Sequence, residues 1–153
     1  MKYVEQVLQP GETVVYATSL HWLVFLRAIV LAILAVVVLV AAARFDANIE
    51  LAIEALGVLL GVVALIAALS ALIRRATTEL AVTDRRVIFK TGIFQRHTME
   101  MNRSKVETVG VDQSILGRIL GYGTIIVRGT GGSFEPIPFI GDPLTFRSHI
   151  TAG

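Results

Sequence analysis

Residues 23–43 have the sequence LVFLRAIVLAILAVVVLVAAA and residues 51–73 have the sequence LAIEALGVLLGVVALIAALSALI. Together these two stretches decide the fold. Each is as long as the run of about 20 apolar residues that a helix needs to cross a hydrocarbon core of about 30 Å. The charged residues within them, Arg27 and Glu54, lie near the ends, where they can reach the lipid headgroups. The sequence therefore predicts two transmembrane helices.

The segment between the two stretches, residues 44–50, can turn the chain but is too short to form a domain. We therefore expect a transmembrane hairpin, with helices at about 20–43 and 50–74. Lys and Arg concentrate on the cytoplasmic flanks of membrane helices. The connecting loop contains one basic residue, Arg44, whereas five basic residues follow the second helix: Arg74, Arg75, Arg85, Arg86 and Lys90. This asymmetry predicts that both ends of the hairpin face the cytoplasm.

The composition changes after the hairpin. The whole chain is 54% hydrophobic and 17% charged, against roughly 45–50% and about 25% in soluble domains, but residues 76–153 have the polar and glycine content of a soluble domain. The chain contains no cysteine, which excludes disulfides and cysteine nucleophiles. We divide it into a cytoplasmic N-terminal segment at 1–19, the hairpin at 20–75 and a cytoplasmic domain at 76–153.

The cytoplasmic domain has the alternation and β-branched residues of a sheet. Strands are predicted at 78–83, 86–91, 93–101, 106–111, 124–128 and 134–139. A short helical turn is expected between Ser114 and Gly121, and Asp142-Pro143 predicts the N-cap and first position of a C-terminal helix. The predicted core includes Leu80, Val82, Ile88, Ile126 and Phe146. The fold class is therefore an α+β membrane protein with a small antiparallel β domain.

Several motifs in this domain resemble those of a known family. They are Thr83-Asp-Arg-Arg-Val-Ile-Phe-Lys-Thr-Gly92-Ile-Phe, Val106-Glu-Thr-Val, Asp112-Gln-Ser-Ile-Leu-Gly117-Arg-Ile-Leu-Gly-Tyr-Gly-Thr124 and Val127-Arg-Gly-Thr-Gly-Gly132. This pattern resembles the bacterial pleckstrin-homology-like (PH-like) proteins of the membrane-flanked YdbS type. The resemblance implies a PH-like split barrel with a short C-terminal helix, in a multi-pass protein of the bacterial inner membrane. It supplies no mechanism, because the role of that family is uncharacterised.

Small residues in the hairpin are candidates for close helix packing. Gly57 and Gly61 have GxxxG spacing, which allows another helix to approach closely. The candidate set is Gly57, Gly61, Ala64, Ala68, Ala28 and Ala32. These residues can pack the hairpin on itself, hold copies of the chain together, or do both.

Basic residues around the first predicted β-hairpin form a second candidate surface. The set of possible lipid-facing residues is Arg74, Arg75, Arg85, Arg86, Lys90 and Arg96. From Arg74 onward the chain has eleven Lys and Arg against seven Asp and Glu, a net charge of +4. This excess suits an anionic membrane leaflet and is too small to indicate nucleic acid as a partner.

A third candidate set could contact a partner protein: Phe94, Ile115, Leu116, Ile119, Leu120 and Tyr122. The apolar members of this set could equally belong to the core of the domain. No His lies at metal-ligand spacing from a carboxylate, and no glycine-rich segment has the full pattern of a phosphate-binding loop. We therefore expect no catalytic residues, no cofactor and no metal site.

Three functional hypotheses remain from the sequence. The first is a membrane-anchored binding or scaffolding module that forms a homo-oligomer or binds another membrane protein. The second is recognition of anionic lipid headgroups by the PH-like domain. The third and weakest is a subunit of an oligomeric pore or transporter that uses Arg27, Glu50 and Glu54.

Overall fold

The computed structural model describes residues 2–45, 47–92 and 96–152. The chain forms two compact units. One comprises Met1–His21 together with Arg74–Gly153 and is called the β domain below. The other, Trp22–Ile73, is the helical hairpin. Each unit has its own packing and is built by a different sequence pattern.

In the described residues, the β domain contains two four-stranded antiparallel sheets. Its strands are β1 (Val14–Thr18), β2 (Glu79–Thr83), β3 (Arg86–Thr91), β4 (His97–Asn102), β5 (Val106–Asp112), β6 (Tyr122–Gly129), β7 (Gly132–Ser133) and β8 (Ile137–Gly141). The first sheet has the order β1-β2-β3-β4, and in the second sheet β6 pairs with β5, β7 and β8. This architecture confirms the predicted α+β class with antiparallel sheets.

The three helices of the β domain are α1 (Lys2–Val7), α4 (Ile115–Leu120) and α5 (Pro143–Thr151). Helix α5 is the predicted C-terminal helix and packs on β1, β2, β5 and β6. Its Phe146 is fully buried, and Tyr16 of β1 lies edge-on to the Phe146 ring. Arg103 satisfies two carbonyl oxygens at the C-terminal end of α5. Its guanidinium donates to the carbonyl oxygens of His149 and Ile150 at 2.7 and 3.2 Å.

The N-terminal segment belongs to the β domain. Strand β1 pairs antiparallel with β2, with Ala17 opposite Ala81 and Thr18 opposite Leu80. The sequence division treats 1–19 as a separate segment, whereas in the structure these residues form α1 and β1 of the domain that follows the hairpin. The physical reason is that residues 14–18, Val-Val-Tyr-Ala-Thr, favour extended backbone and cover the edge of β2.

The buried core agrees with the prediction except for the phase of one strand. Leu80, Val82, Ile88 and Phe146 are fully buried, as predicted. Ile126 is only partly buried, and its neighbour Ile125 is fully buried instead. A one-residue difference in phase moves every side chain of a strand to the other face.

Asp142 and Pro143 are the N-cap and the first residue of α5, as predicted. Asp142 has a left-handed backbone, φ 49°, and its side chain makes no cap hydrogen bond. The bounds of two predicted strands differ from the structure. Strand β8 begins at Ile137 rather than at residue 134. Pro136, just before it, has no N–H to donate to a neighbouring strand. Of the strand predicted at 93–101, residues 93–95 lie outside the described residues, Arg96 is not in a strand, and β4 begins at His97.

The hairpin unit contains α2 (Leu26–Ala42), preceded by a 3-10 turn at Trp22–Phe25, and most of α3 (Ala47–Thr77). By length and composition, Trp22–Ala42 and Ile49–Thr77 could each cross a membrane, with mean hydropathies of 3.2 and 2.8. Only 17% of each most apolar window is buried within the protein. A core helix of a soluble protein would bury most of its apolar residues, so the exposed surface has the character expected of lipid contact.

Small residues form the seam of the hairpin. The buried positions are Ala28, Ala35 and Ala42 on α2, and Gly57, Ala64 and Ala71 on α3. Both sets repeat every seven residues, the spacing that keeps one face of a helix against its partner when two helices pack at a small angle. Ala35, Ala42 and Ala71 are additions to the set that the GxxxG spacing indicated.

Candidate functional site

Helix α4 carries four exposed large apolar side chains, including the three most exposed in the described residues of the β domain. Ile115 is 78% exposed, Leu116 63%, Ile119 73% and Leu120 40%. The sequence left open whether these residues contact a partner or form the core, and the structure places them at the surface. Clusters of exposed apolar side chains commonly mark a contact with a protein or with a membrane.

Both ends of α4 are capped, which holds the apolar side chains in place. Ser114 is the N-cap, and its hydroxyl accepts a hydrogen bond from the Gly117 amide at 3.0 Å. Gly121 ends the helix with a left-handed backbone, φ 73°, which a glycine adopts without steric cost. A short helix with both ends capped presents its side chains without having to order first.

Gln113 and Gly117 fix α4 to the domain. The Gln113 side-chain amide donates to the carbonyl oxygen of Tyr122 at 2.9 Å. Gly117 is buried, and a Cβ at this position would lie 2.7 Å from the same oxygen. The Gly117 face therefore packs on the domain, which leaves the apolar residues before and after it facing outward.

Substituting Gly117 by alanine is expected to loosen α4. The added methyl would overlap a backbone oxygen that cannot move without breaking the Gln113 hydrogen bond, at a cost of about 1–3 kcal/mol. Hydrogen exchange of the amides of residues 113–122 measures this effect directly. Gly131→Ala is the matched control, because no atom lies within 4 Å of a Cβ at that position. Unchanged protection in Gly117→Ala would contradict the close packing described here.

Three aromatic rings lie beside the C-terminal end of α4. The Tyr122 ring stacks between His21 and Phe139, with centroid distances of 5.6 and 6.0 Å. The His21 amide donates to the Phe139 carbonyl oxygen at 2.6 Å. Burial, reinforced by the positive charge of Arg75, lowers the pKa of His21, so this ring is neutral near pH 7. Tyr122 is thus partly buried in a ring stack, unlike the exposed aliphatic members of its candidate set.

The predicted basic surface is reduced by a buried ion pair. Arg86 donates to both carboxylate oxygens of Glu12, with its Nε 2.9 Å from Oε1 and an Nη atom 2.7 Å from Oε2. The Glu12 side chain is fully buried and also accepts hydrogen bonds from the Thr83 hydroxyl and the Gln9 amide. The Arg86 hydrogen bonds lower the pKa of Glu12 to about 2 despite its burial. Arg86 therefore stabilises the fold and is not part of a lipid-facing surface.

The other members of the basic set divide into engaged and exposed residues. Lys90 lies 3.8 Å from the Glu79 carboxylate and over the ring of Tyr3, with its side chain mostly buried. Glu79 also accepts hydrogen bonds from the Tyr3 and Val4 amides at the start of α1. The exposed members are Arg74, Arg75, Arg85 and Arg96. Two of them also have partners, since Arg85 lies 3.9 Å from the Asp84 carboxylate and Arg96 lies over the Tyr3 ring. Phe94, of the partner-contact set, lies outside the described residues.

Within the hairpin, Gly57, Ala64 and Ala28 are buried, and a Cβ on Gly57 would lie 2.6 Å from Leu39. Gly61 differs from Gly57, because no atom lies within 4 Å of a Cβ built there. An open apolar groove of about 510 Å³ lies between α2 and α3, and the candidate residues that line it are Ala28, Ala32, Gly61, Ala64 and Ala68. The GxxxG pair therefore spans one packed position and one open position.

Metal-binding geometry is not found in the part of the chain that the structure describes. No three His, Asp or Glu residues in those ranges come together as a candidate metal site. What the described residues do bring together are surfaces: the apolar helix α4 on the β domain and the open groove on the hairpin. These are features of a domain that binds other molecules.

The comparisons with known proteins agree with this class. Two antiparallel sheets with a helix packed on them are consistent with a PH-like fold, which suggests a binding or scaffolding module. The family model of the bacterial PH domain matches residues 15–150, and the chain therefore belongs to this family. Comparison with curated proteins gives no match, and comparison with solved structures gives none either.

Proposed function

We propose that the chain is a membrane-anchored PH-like scaffolding module of the membrane-flanked YdbS type, which self-associates at the cytoplasmic face of the bacterial inner membrane. It has no catalytic role, and its partners are the bilayer and either a second copy or another membrane protein, not nucleic acid. Anchoring is supported by two apolar helices that bury little of their surface within the protein.

The sheet pairing supports the proposed topology. Strand β1 precedes the hairpin and β2 follows it, yet the two strands are hydrogen-bonded neighbours. One sheet cannot lie on both sides of a bilayer, so an even number of crossings must separate the two strands. Two crossing helices meet this requirement. Exposed Arg74 and Arg75 at the end of α3 favour the cytoplasm as the side on which the domain lies.

The open groove on the hairpin is the observation that best supports self-association. Helix α3 presents a buried set of small residues to α2, and Gly61 and Ala68 border an apolar groove that no part of the hairpin fills. In lipid, small residues allow helix backbones to approach closely, and van der Waals packing then drives helix association. A helix from a second copy has the apolar surface to occupy this groove.

Native mass spectrometry of the full chain in mild detergent and in lipid discs tests this proposal. We expect a defined multimer for the wild type and a shift toward monomer for Gly61→Leu, whose side chain would extend into the groove from a position where no atom lies within 4 Å of a Cβ. Val62→Leu is the matched control, since Val62 is already an exposed aliphatic residue next to Gly61. A monomeric wild type in both media, or a Gly61→Leu multimer like that of the wild type, would contradict self-association through the groove.

Recognition of anionic headgroups is the second candidate. Its support is the exposed set of Arg74, Arg75, Arg85 and Arg96, each of which can add about 1 kcal/mol near an anionic leaflet. The ion pairs of Arg86 and Lys90 remove two members of the predicted set. For this reason the hairpin groove supports scaffolding better than the basic residues support lipid recognition.

A further inference from the structure

We infer that α4 inserts its exposed apolar side chains into the headgroup and upper acyl region of the adjacent leaflet, so that the β domain contacts the bilayer directly. This inference rests on the proposed membrane anchoring and adds a second contact to it. The ligand is the lipid surface itself, and the residues that bind it are Ile115, Leu116, Ile119 and Leu120.

The apolar surface of α4 is concentrated. In the described part of the β domain, the other exposed large aliphatic residues are Val14, Val15 and Leu144, spread over two elements. Helix α4 instead places four exposed aliphatic side chains within six residues. Such a cluster in water is costly, and membrane-interfacial segments owe their binding to the burial of surfaces of this kind.

The structure prevents these side chains from folding back onto the domain. The face of α4 that meets the domain is occupied by Gly117, which is buried against the Tyr122 carbonyl oxygen. Residues 115 and 116 lie on one side of this glycine and residues 119 and 120 on the other. Because Ser114 and Gly121 cap the helix, the apolar groups stay outward and ready for contact.

Helix α4 lies where the chain leaves the β domain for the hairpin. His21 is the last residue before the first apolar segment, and its ring stacks on Tyr122, which follows the Gly121 cap of α4. Leu20 forms a β-bridge with Ile140. Leu20 also lines one cavity with Arg74 and Thr78, so the points of departure and return are neighbours within the domain. A leaflet that receives the chain at this edge is therefore close to α4.

The charged residues around α4 are compatible with a membrane interface but are not its main source of attraction. Arg118 is exposed within the helix, where a long basic side chain can reach phosphate groups while its neighbours enter the acyl region. Exposed Asp142 lies nearby, since its amide donates to the Gly121 carbonyl oxygen. These two charges offset each other, so we assign the attraction mainly to the apolar side chains.

Depth-dependent fluorescence quenching in the full chain tests the inference. The chain contains no cysteine, so single Cys variants label without background. Ile115→Cys and Ile119→Cys, each carrying an NBD fluorophore, are reconstituted in vesicles of phosphatidylcholine and phosphatidylglycerol. We expect blue-shifted emission and loss of fluorescence when part of the lipid carries a doxyl group near the headgroup.

Two further labels act as controls. Thr130 is exposed at the opposite end of β6 from Tyr122, about 25 Å away at the rise of a strand, so a label at Thr130→Cys is expected to remain in water. A label at Val62→Cys, an exposed position near the middle of α3, is read with lipid that carries the doxyl group deep in the acyl chain, and it reports whether the hairpin lies in the bilayer.

The pattern of quenching separates the possible failures. Quenching at Val62→Cys with aqueous labels on α4 overturns the inference and leaves anchoring intact. Blue-shifted α4 labels that doxyl lipids do not quench show that a protein covers the helix, which also overturns the inference. If the Val62→Cys label is not quenched, both the proposed anchoring and the inference fail.

Discussion

Replacing Arg86 by methionine is expected to lower the free energy of unfolding of the β domain by about 3–5 kcal/mol, because Glu12 is then left buried without its cation. The Glu12 side chain is fully buried and accepts two hydrogen bonds from Arg86. Urea unfolding of the full chain in mild detergent, followed by far-UV circular dichroism, measures the change. We expect the apolar hairpin to stay helical in detergent, so we assign the urea transition to the β domain.

The double variant Glu12→Leu with Arg86→Met is the control for this prediction. Removing both charges eliminates the uncompensated carboxylate, and replacing a buried ion pair by apolar residues is often close to neutral. We therefore expect the double variant to recover much of the stability lost in Arg86→Met. A double variant no more stable than the single one would show that packing, rather than the charge on Glu12, determines the loss.

The same ion pair has a pH signature. The pKa of Glu12 falls from its ordinary 4.5 to about 2 in the folded domain, so the folded state favours the charged carboxylate. Its contribution, about 3 kcal/mol from about 1.4 kcal/mol per pKa unit, is complete above pH 4.5 and is lost as the pH falls toward 2. Glu12→Gln is expected to flatten this part of the stability curve, and an unchanged acid dependence would argue against the role of Glu12.

Gly57→Leu is expected to force the two hairpin helices apart. A Cβ at this position would already lie 2.6 Å from Cγ and Cδ2 of Leu39, and leucine adds a branched chain beyond it. Overpacking of this kind costs about 1–3 kcal/mol or more. Spin labels on Cys variants at Val37 and Leu59, both exposed, measure the separation of the helices when labelled chains are diluted with unlabelled ones.

Gly61→Leu is the matched control for the hairpin, because it adds the same side chain one turn away, where nothing lies within 4 Å of a Cβ. We expect an unchanged distance between the spin labels in this variant and a longer, broader distribution in Gly57→Leu. Equal distributions in the two variants would mean that the seam does not depend on Gly57.

Local patterns predicted much of the architecture from the sequence. The apolar stretches predicted both long helices, and the helical spacing of the apolar residues before Gly121 predicted the short helix α4, although not its Ser114 cap. The buried phase of β6 was not predictable in this way, because Ile125, Ile126 and Val127 are all apolar and fit either face of a strand. Pairing with β5 and β8 decides the phase, and that information lies in distant residues.

The candidate sites depended on long-range contacts to different degrees. Exposure of the four apolar residues of α4 could not be read locally, since apolar residues at helical spacing occur in cores as well. Arg86 is engaged by Glu12, which lies before the hairpin, and no local pattern links these residues. Two features of the sequence could nevertheless have indicated parts of this arrangement. Residues 14–18 favour a strand, and the seven-residue spacing of Ala28, Ala35 and Ala42 favours helix packing.

The pairing of β1 with β2 also sets the order of events during synthesis. Strand β1 is complete at Thr18, but its partner β2 starts at Glu79, on the far side of both apolar helices. At roughly 5–20 residues per second the ribosome needs several seconds to reach β2. During that interval β1 and Glu12 lack β2 and Arg86, and in the proposed membrane topology the sheet can close only after the hairpin has returned to the side of the bilayer from which it started. In that topology the β domain folds completely only in chains whose hairpin is correctly inserted. A chain whose hairpin fails to return would expose an unpaired strand and an Arg86 without Glu12 to quality-control proteases.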